Sequence, residues 1–425
     1  MNDRKKLAFG TGSSVVVLKC QVCDNPKLAP ILFLGYLPPV NTMPTIGTKP
    51  KEEVSYPALW LYCPRCQLVQ LGLVVDPKIL FPPEYPYTSS TTKILRENFA
   101  ELYSESSRLL KLKSNDLVID IGSNDGNLLS NFKGKTRVLG ITPEDVGRVA
   151  TKNGIETYIA YFTKEIVAKT LKQKGRAKVI CATNVFAHIE NVHDVVENII
   201  KLMADDGVFI SESHYLYSLI KTLQYDTIYH EHLRYYSLSS LKYLLAKQGL
   251  EVFHAKKIPS HGGSIRVYAA KRGKRPVLAT VEQMLAMEKT VVTEKNSLLN
   301  FKNDVVLSKI KLYNLLLKIK MRGKKIYGIG APSRASTLIN YVGLDDGILD
   351  CVCEIKGSNK IGKYVPGTMI PVLEESKLYN DQPDYAFLLS WHIAEELVPK
   401  IKAKGFRGDF IVPLPSPRIL KNEAY

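Results

Sequence analysis

A short apolar run that ends in a glycine-rich turn constrains the fold of this 425-residue chain more than any other feature. The run Leu117–Ile121 is apolar except for Asp120, and the turn that follows begins at Gly122 and ends at Gly126. Glycine adopts left-handed backbone conformations and lets a ligand approach the main chain closely. A buried strand, such a turn and a helix from Asn127 onward are typical of a nucleotide-binding α/β unit.

Further apolar runs follow at spacings that leave room for helices between them. They lie at Arg137–Ile141, Lys178–Ala182, Gly207–Glu212 and Ile265–Ala270. Strand-like and helix-like segments that alternate in this way predict strands packed between layers of helices. We therefore predict an α/β fold, with a doubly wound domain over residues 115–275.

The rest of the chain divides around that domain. Residues 278–320 contain no glycine or proline and carry apolar residues at helical intervals, so we predict a connecting helix over 276–320. A second strand-and-glycine pattern opens at Ile326 and predicts a C-terminal α/β domain over 321–425. An aromatic loop and a helical linker are predicted over 76–114.

Two Cys-x-x-Cys pairs predict a metal site within an N-terminal module of residues 1–75. The pairs are Cys20/Cys23 and Cys63/Cys66, and two such loops can aim four thiolates at one tetrahedral zinc ion. The short β runs around them contain too little core to fold without the ion. A redox dithiol in one pair is the alternative. We expect a closed, structural zinc site, and we predict that the other three cysteines are inert core thiols.

A formal net charge of +17 gives the chain a strong basic bias. Such a charge attracts polyanions, whether nucleic acid, anionic lipid or phosphorylated small molecules, although scattered surface lysines without a partner explain it equally well. No apolar run approaches the ~18–20 residues that span a bilayer. The first residues lack the apolar core of a signal peptide. We therefore expect a cytoplasmic protein.

The first glycine-rich turn has the pattern Asp-x-Gly-x-x-x-Gly, which matches the cofactor loop of S-adenosylmethionine-dependent methyltransferases better than the dinucleotide fingerprint. The predicted cofactor-binding residues of this turn are Asp120, Gly122, Ser123, Asn124, Asp125 and Gly126. A structural β-α turn is the alternative. The second strand ends at Thr142, where an acid would be expected to hold the ribose hydroxyls. Glu144 or Asp145 could replace that acid, or could only complement the dipole of the following helix.

Residues 226–237 concentrate proton donors and acceptors, with two histidines, a glutamate, an arginine and three tyrosines. Such density is typical of a site that moves protons. We predict that His232 is the base and that Tyr229 and Glu231 assist it. Glu231 would orient His232 or bind a hydroxyl group. The alternative is a turn that His230 and His232 merely cap.

Two loops that follow predicted strands supply further polar groups. Asn184 and His188 follow the fourth strand and are predicted at the carboxyl edge of the sheet, where open α/β sheets bind ligands. His188 could equally be a structural histidine. His261, Gly262 and Ser264 belong to a second polar loop, whose glycines would let a substrate approach closely.

Taken together and in this order, the motifs resemble the bacterial nucleotide-sugar C-methyltransferases, which make branched deoxysugars. The likeness runs nearly end to end and, besides the cysteine pairs and the Asp120 turn, covers the segments 85–90, 184–188, 229–232, 261–266, 327–332, 362–367 and 411–415. The resemblance implies an N-terminal zinc domain, a central class I methyltransferase domain and a C-terminal Rossmann-like domain. It also implies that the methyl donor is S-adenosylmethionine.

The resemblance further implies a substrate and its ligands. The substrate would be a nucleotide-diphosphate sugar, a dTDP-linked or related 4-keto-6-deoxyhexose, methylated on carbon with base assistance. Tyr229, Glu231 and His232 would act together with an N-terminal tyrosine, Tyr85 or preferably Tyr87. The predicted substrate-binding residues are Tyr85, His261, Gly262, Ser264, Arg266 and Arg334, and Arg334 would supply charge for the diphosphate at the start of a helix.

The chain departs from the family pattern at two places. Thr142 stands where the ribose acid is expected, and Glu354–Lys360 differs from the expected Asp-x-x-Pro-x-Lys. Two alternative functions stay open: a nicotinamide-dependent oxidoreductase that uses Gly328-x-Gly330, and a degenerate methyltransferase fold that acts as a zinc-containing binding protein. We expect no nucleic-acid or membrane partner, and either a monomer or a homodimer.

Overall fold

A computed structural model describes residues 13–48, 53–81, 93–293 and 295–422. Tyr85 and Tyr87 lie outside these described residues. The N-terminal elements are β1 (Val15–Val16), β2 (Ala29–Leu37), β3 (Tyr56–Tyr62), β4 (Val69–Leu71), β5 (Leu73–Val74), α1 (Pro77–Leu80) and α2 (Lys93–Leu110). Strands β2, β3 and β4 form an antiparallel sheet, and β1 pairs with β5. The buried apolar residues of this sheet, among them Leu32, Trp60 and Leu71, pack into a core shared with the rest of the chain.

The central domain is a seven-stranded sheet with helices between its strands. Its elements are β6 (Leu117–Ile121), α3 (Asn127–Ser130), β7 (Arg137–Thr142), α4 (Gly147–Lys152), β8 (Thr157–Ile159), α5 (Lys164–Lys174), β9 (Ala177–Thr183), α6 (Val192–Leu202), β10 (Met203–His214), α7 (Leu216–Lys221), β11 (Arg234–Tyr235), α8 (Leu238–Lys247), β12 (Leu250–Ile258) and β13 (Ser264–Lys271). The strand order is β12-β13-β10-β9-β6-β7-β8, and β11 lies in another sheet.

Five neighbouring strands of this sheet, from β10 to β8, are parallel, and β13 is antiparallel to them. The edge strand β12 pairs antiparallel with β13 and therefore runs in the same direction as the five parallel strands. From β6 the chain adds β7 and β8 on one side and then β9 and β10 on the other, so the strand order reverses between the neighbouring strands β6 and β9. A ligand crevice forms at the carboxyl ends of the strands at such a point. The loops after β6 and β9 therefore meet at this crevice. The predicted strands are present, and β8 and β12, which are less continuously apolar, were not predicted.

The C-terminal part begins with two helices and ends in a second sheet. Its elements are α9 (Ala279–Glu288), a π-helical turn (Lys289–Thr293), α10 (Lys295–Lys320), β14 (Ile326–Ile329), α11 (Ser333–Val342), β15 (Cys351–Glu354), β16 (Lys363–Tyr364), β17 (Pro371–Glu374), α12 (Ser376–Asp381), β18 (Tyr385–Leu388), α13 (Ala394–Ala403), β19 (Asp409–Val412) and β20 (Arg418–Leu420). The strand order is β16-β17-β15-β14-β18-β19-β20. The single helix predicted over 276–320 is thus divided in two.

The three parts of the chain share a core, with α10 between them. The predicted apolar stripe of α10 is buried: Leu298, Phe301, Val305, Leu312, Leu316 and Ile319. Phe301 stacks on Trp60 of the N-terminal sheet with ring centroids 5.7 Å apart, and the stripe packs into the same cluster as the C-terminal strands. Separate domains joined this way cannot move independently without exposing apolar surface. None of the described helices combines the length and apolar character needed to cross a bilayer.

Candidate active site

The four paired cysteines converge in the N-terminal module. Their ligand atoms all lie within 4.8 Å of one another, and all four residues are buried. The Sγ atoms of Cys20 and Cys66 are 3.4 Å apart, as are those of Cys23 and Cys63. Tetrahedral Zn–S bonds of ~2.3 Å place sulfur atoms roughly 3.8 Å apart, so the geometry fits one metal ion. Within the described part of the chain, no other His, Cys, Asp or Glu cluster meets the same criterion.

The chain directly after the predicted base forms a strand of the N-terminal sheet. Strand β11, which begins two residues after His232, pairs antiparallel with β4, so that Arg234 lies opposite Gln70. The backbone N–H of Leu71 donates to the carbonyl of Leu233 at 3.0 Å. The Arg234 guanidinium also donates to the side chain of Gln21, which lies between two of the cysteines. Strand pairing and hydrogen bonds therefore connect the cysteine cluster to the residues that directly follow the predicted base.

The glycine turn after β6 has no room for side chains at its two glycines. Gly122 has a φ of +73°, and an added Cβ would lie 2.5 Å from Cγ2 of Val185. Gly126 has a φ of +81°, and its Cβ would lie 2.8 Å from that of Ala150. The turn therefore packs closely against Val185 and Ala150 at these two positions, which only glycine permits.

We expect Gly122→Ala to weaken binding of S-adenosylmethionine at least about tenfold, because a left-handed alanine and a steric clash together cost more than ~1.4 kcal/mol. Isothermal titration measures this change. Gly134→Ala is the matched control, since Gly134 has a φ of +78° but nothing within 4 Å of the added Cβ. An equal loss of affinity in both variants would contradict the claim that the clash at Gly122 is what weakens cofactor binding.

Buried polar atoms around this turn fit a polar ligand. Oδ1 of Asp120, Oγ of Ser123, Oγ1 of Thr142 and Oδ1 of Asn184 are buried and have no hydrogen-bond partner among the described residues. Burial, with a smaller contribution from the nearby Glu212 carboxylate, raises the pKa of Asp120 well above its ordinary value. Buried oxygens normally have a partner, so this set suits the hydroxyl and ammonium groups of S-adenosylmethionine.

The structure distinguishes the two acids that could replace the missing ribose acid. Glu144 accepts a hydrogen bond from Nδ2 of Asn124 at 2.9 Å and is partly buried beside the cofactor turn. Burial raises the pKa of Glu144. Asp145 is exposed and pairs with Arg148 at 3.0 Å. Glu144 is thus the acid that lies next to the turn.

The predicted base lies in a buried cluster of aromatic rings. The imidazole centroid of His232 is 5.1 Å from His188, 4.8 Å from His214 and 4.1 Å from the ring of Tyr229. His214 is also 5.4 Å from His261. His230 lies on another side of this turn: its ring contacts Tyr56, and its Nε2 lies 3.3 Å from the carbonyl oxygen of Pro57 in the N-terminal sheet.

The hydrogen bond of His232 defines the tautomer of its imidazole ring. Its Nδ1 lies 2.9 Å from the carbonyl oxygen of Thr227, and a carbonyl can only accept, so Nδ1 carries the proton and Nε2 keeps its lone pair. Burial, with a further contribution from His188, lowers the pKa of His232 well below its ordinary value. Burial also raises the pKa of Tyr229, so its phenol stays protonated. The pair therefore consists of a neutral imidazole and a neutral phenol at neutral pH.

One loop connects this cluster with the cofactor turn. Residues 184–188 contain Val185, which lies directly under Gly122, and His188, which contacts His232. Nδ2 of Asn184 is 3.3 Å from Nε2 of His261, so the second predicted polar loop meets the same site. The structure therefore brings together the predicted cofactor residues, the base and the His261 loop at the crevice.

The structure does not support the prediction that Arg334 binds the diphosphate, because its guanidinium is bonded to groups of the protein itself. Its guanidinium forms a buried bidentate pair with Asp226, with N–O distances of 2.8 and 2.7 Å, and also donates to Gln224. Nε1 of Trp391 donates to the same carboxylate at 2.7 Å. The charge of Arg334 is therefore neutralised within the protein, and it joins α11 to the turn that precedes His232.

A backbone N–H just before α11, where an anion was predicted to bind, also has a partner within the protein. The backbone N–H of Ala331 donates to a carboxylate oxygen of Glu354 at 2.7 Å. A side chain of the protein thus takes the position where a phosphate of a substrate or of a nicotinamide cofactor was expected. The sequence pattern does not reveal this because Glu354 belongs to the next strand.

Arg266 is likewise not available to a substrate. It is fully buried and donates to Glu212 at 2.6 Å, to Glu101 at 2.5 Å and to Glu105 at 3.0 Å, and its remaining nitrogen donates to Asn98. These bonds fasten α2 to the central sheet.

Sequence reasoning missed several residues of the site. His214 was missed because β10 extends two residues beyond the apolar run, to its last residue at the carboxyl edge. Its position at a strand end was a usable signal. Asp226 and Asn41 were missed because their partners, Arg334 and Glu231, are distant in the chain. No local pattern indicates such contacts.

Comparisons with known proteins agree with this architecture. Three family models match: a zinc binding domain over residues 20–81, a methyltransferase domain over 94–255 and a C-methyltransferase C-terminal domain over 259–415. The doubly wound sheet, its cofactor turn and the cysteine module define an S-adenosylmethionine-dependent methyltransferase with a zinc-binding domain. The chain belongs to the C-methyltransferase family: it is 32% identical to the C-methyltransferase NovU of Streptomyces niveus over 411 residues, which is 96% of this chain and 97% of that protein. The alternative of a nicotinamide-dependent oxidoreductase is therefore wrong.

Two solved structures of methyltransferases each overlap with less than half of the chain. An S-adenosylmethionine-dependent methyltransferase from Clostridium acetobutylicum aligns with 43% of this chain and 94% of its own, at 12% identity and a TM-score of 0.34. Magnesium protoporphyrin IX methyltransferase from Synechocystis aligns with 41% and 79%, at 11% identity and a TM-score of 0.33. Scores of this size do not bear on the function.

Proposed function

We propose that this methyltransferase adds a methyl group to a ring carbon next to the ketone of a nucleotide-linked 4-keto-6-deoxy sugar. The resemblance noted in the sequence suggests the substrate class. The observation that carries the chemistry is His232, whose Nδ1 proton is fixed by Thr227 and whose Nε2 is free to take a proton beside the cofactor turn. A carbon acid next to a ketone needs such a base.

We assign His232 and Tyr229 to different atoms of the substrate. Nε2 of His232 removes the proton from the carbon next to the ketone, and the protonated phenol of Tyr229 donates to the oxygen on which charge develops. S-adenosylmethionine, when bound at the turn after β6, would supply the electrophilic methyl group and would leave as S-adenosylhomocysteine. Glu144 is assigned to the ribose hydroxyls of this cofactor in place of Thr142. We also infer that the four cysteines hold zinc, which takes no part in the chemistry.

The experiment that tests this function is a methylation assay with purified protein, S-adenosylmethionine and a panel of 4-keto sugar nucleotides. A product heavier by one methyl group, with a new carbon–carbon bond by NMR, would support the proposal. A cofactor that binds in isothermal titration, with no product from any sugar of the panel, would refute the substrate class alone.

The pH dependence of kcat/KM provides a further prediction. Only neutral His232 can accept a proton, and its lowered pKa keeps it neutral in mildly acidic solution. We therefore expect kcat/KM to stay constant as the pH falls through ~6.5, the pKa of an ordinary histidine, and to decline only well below it. A decline centred at or above that value would contradict the assignment of His232 as the base.

A further inference from the structure

An N-terminal segment crosses the C-terminal domain and reaches the active site. This segment, here called the strap, comprises residues 38–48. The backbone N–H of Ile46 donates to the carbonyl of Gly362 at 2.9 Å, and that of Tyr364 donates to the carbonyl of Pro44 at 2.7 Å. Thr45 forms a β-bridge with Lys363. Backbone bonds at this end of the strap hold it in a defined path.

Asn41 in the strap contacts the predicted site residue Glu231. Its Nδ2 donates to Oε1 of Glu231 at 2.6 Å, and its Oδ1 accepts from the hydroxyl of Ser333 at 3.3 Å. The hydroxyl of Ser333 can donate to only one end of the amide, which leaves the NH₂ end for the carboxylate. All three parts of the chain thus meet at Glu231, which is 2% exposed.

Two ionisable groups lie near Glu231. The side-chain nitrogen of Lys360, near the carboxylates of Glu231 and Glu354, donates to the carbonyl of Ala331 at 2.6 Å. Burial lowers the pKa of Lys360, and the two carboxylates act in the opposite direction. From its own turn, Glu231 faces the phenol of Tyr229, which is protonated at neutral pH. A charge-assisted donor at 2.6 Å and a nearby ammonium both stabilise a carboxylate.

We propose that Asn41 is a positioning residue that holds Glu231 ionised and oriented as the hydrogen-bond acceptor for a hydroxyl of the substrate. The hydroxyl acceptor role rests on the proposed function, whereas the effect of Asn41 on Glu231 does not. Because Thr227 already fixes the tautomer of His232, we assign the carboxylate of Glu231 to the substrate hydroxyl and not to the imidazole.

The first test requires no substrate. Protein labelled with ¹³C at glutamate carboxyls is titrated by NMR, and the Glu231 resonance is identified by its absence in Glu231→Gln. We expect Asn41→Ala to raise the pKa of Glu231, and we expect no change in Thr48→Ala, which removes a side-chain hydrogen bond from the same strap. An unchanged titration in Asn41→Ala, or an equal shift in both variants, would overturn the proposal.

The second test is a double-mutant cycle in the methylation assay. Asn41→Ala should lower kcat/KM about tenfold, as expected for a lost hydrogen bond to a charged group. In a Glu231→Gln background the same substitution should cause no further loss, because its effect passes through the carboxylate. Fully additive losses would show that Asn41 acts only on the fold. If no sugar of the panel is methylated but the titration shifts, the proposed function fails and the role of Asn41 on Glu231 stands.

Discussion

His232→Asn is expected to lower methyl transfer at least about a hundredfold while cofactor binding stays unchanged. The amide of asparagine can still donate to the carbonyl of Thr227, so the local hydrogen bond survives. The basic nitrogen that removes the proton is lost. Turnover with a 4-keto sugar nucleotide and titration with S-adenosylmethionine measure the two quantities separately.

His230→Asn is the matched control for this experiment. His230 is a buried histidine only two residues away, but its ring contacts Tyr56 and its Nε2 lies near Pro57, on the side of the N-terminal sheet. We expect this variant to keep most of its turnover. Comparable losses in both variants would mean that His232 supports the turn and does not act on the substrate.

Cys63→Ser should abolish methyl transfer although no metal is proposed in the chemistry. The apparent binding energy of a structural zinc ion is about 10 kcal/mol or more, and the N-terminal sheet depends on it. Strand β11 would lose its place in that sheet, and His232 would lose its position two residues earlier. We expect bound zinc to disappear and Tm to fall by at least about 10 °C.

Metal analysis, thermal unfolding and turnover measure this prediction together. Cys351→Ala is the control, because Cys351 is a buried thiol in the C-terminal sheet and lies outside the cluster. It should retain zinc and activity. Full turnover by zinc-free Cys63→Ser protein would show that β11 keeps its position without the metal.

The parts of the molecule that follow local rules could be predicted from the sequence. The cysteine pairs predicted their own cluster because each Cys-x-x-Cys loop carries its geometry with it. The turn at Gly122 was evident because a strand, a glycine and polar residues follow one another directly. Burial of the α10 stripe followed from its spacing of three and four residues.

The partners of buried charges could not be predicted in the same way. Arg334 and Arg266 each looked available for a substrate, because a sequence shows a charge but not the carboxylate that neutralises it. Asp226 lies 108 residues before Arg334, and Glu101 lies 165 residues before Arg266. Only folding brings such pairs together. The prediction of a catalytic tyrosine at Tyr87 falls outside the described residues and stays a prediction.

The pairing of β11 with β4 has a consequence for how such enzymes can be recombined. A chimera that exchanges only the central domain between two relatives would separate the base from the strand that supports it. The exchanged pieces would have to include both partners of that pairing to remain active. Evolution is under the same constraint, so the two ends of this contact are expected to be inherited as a unit.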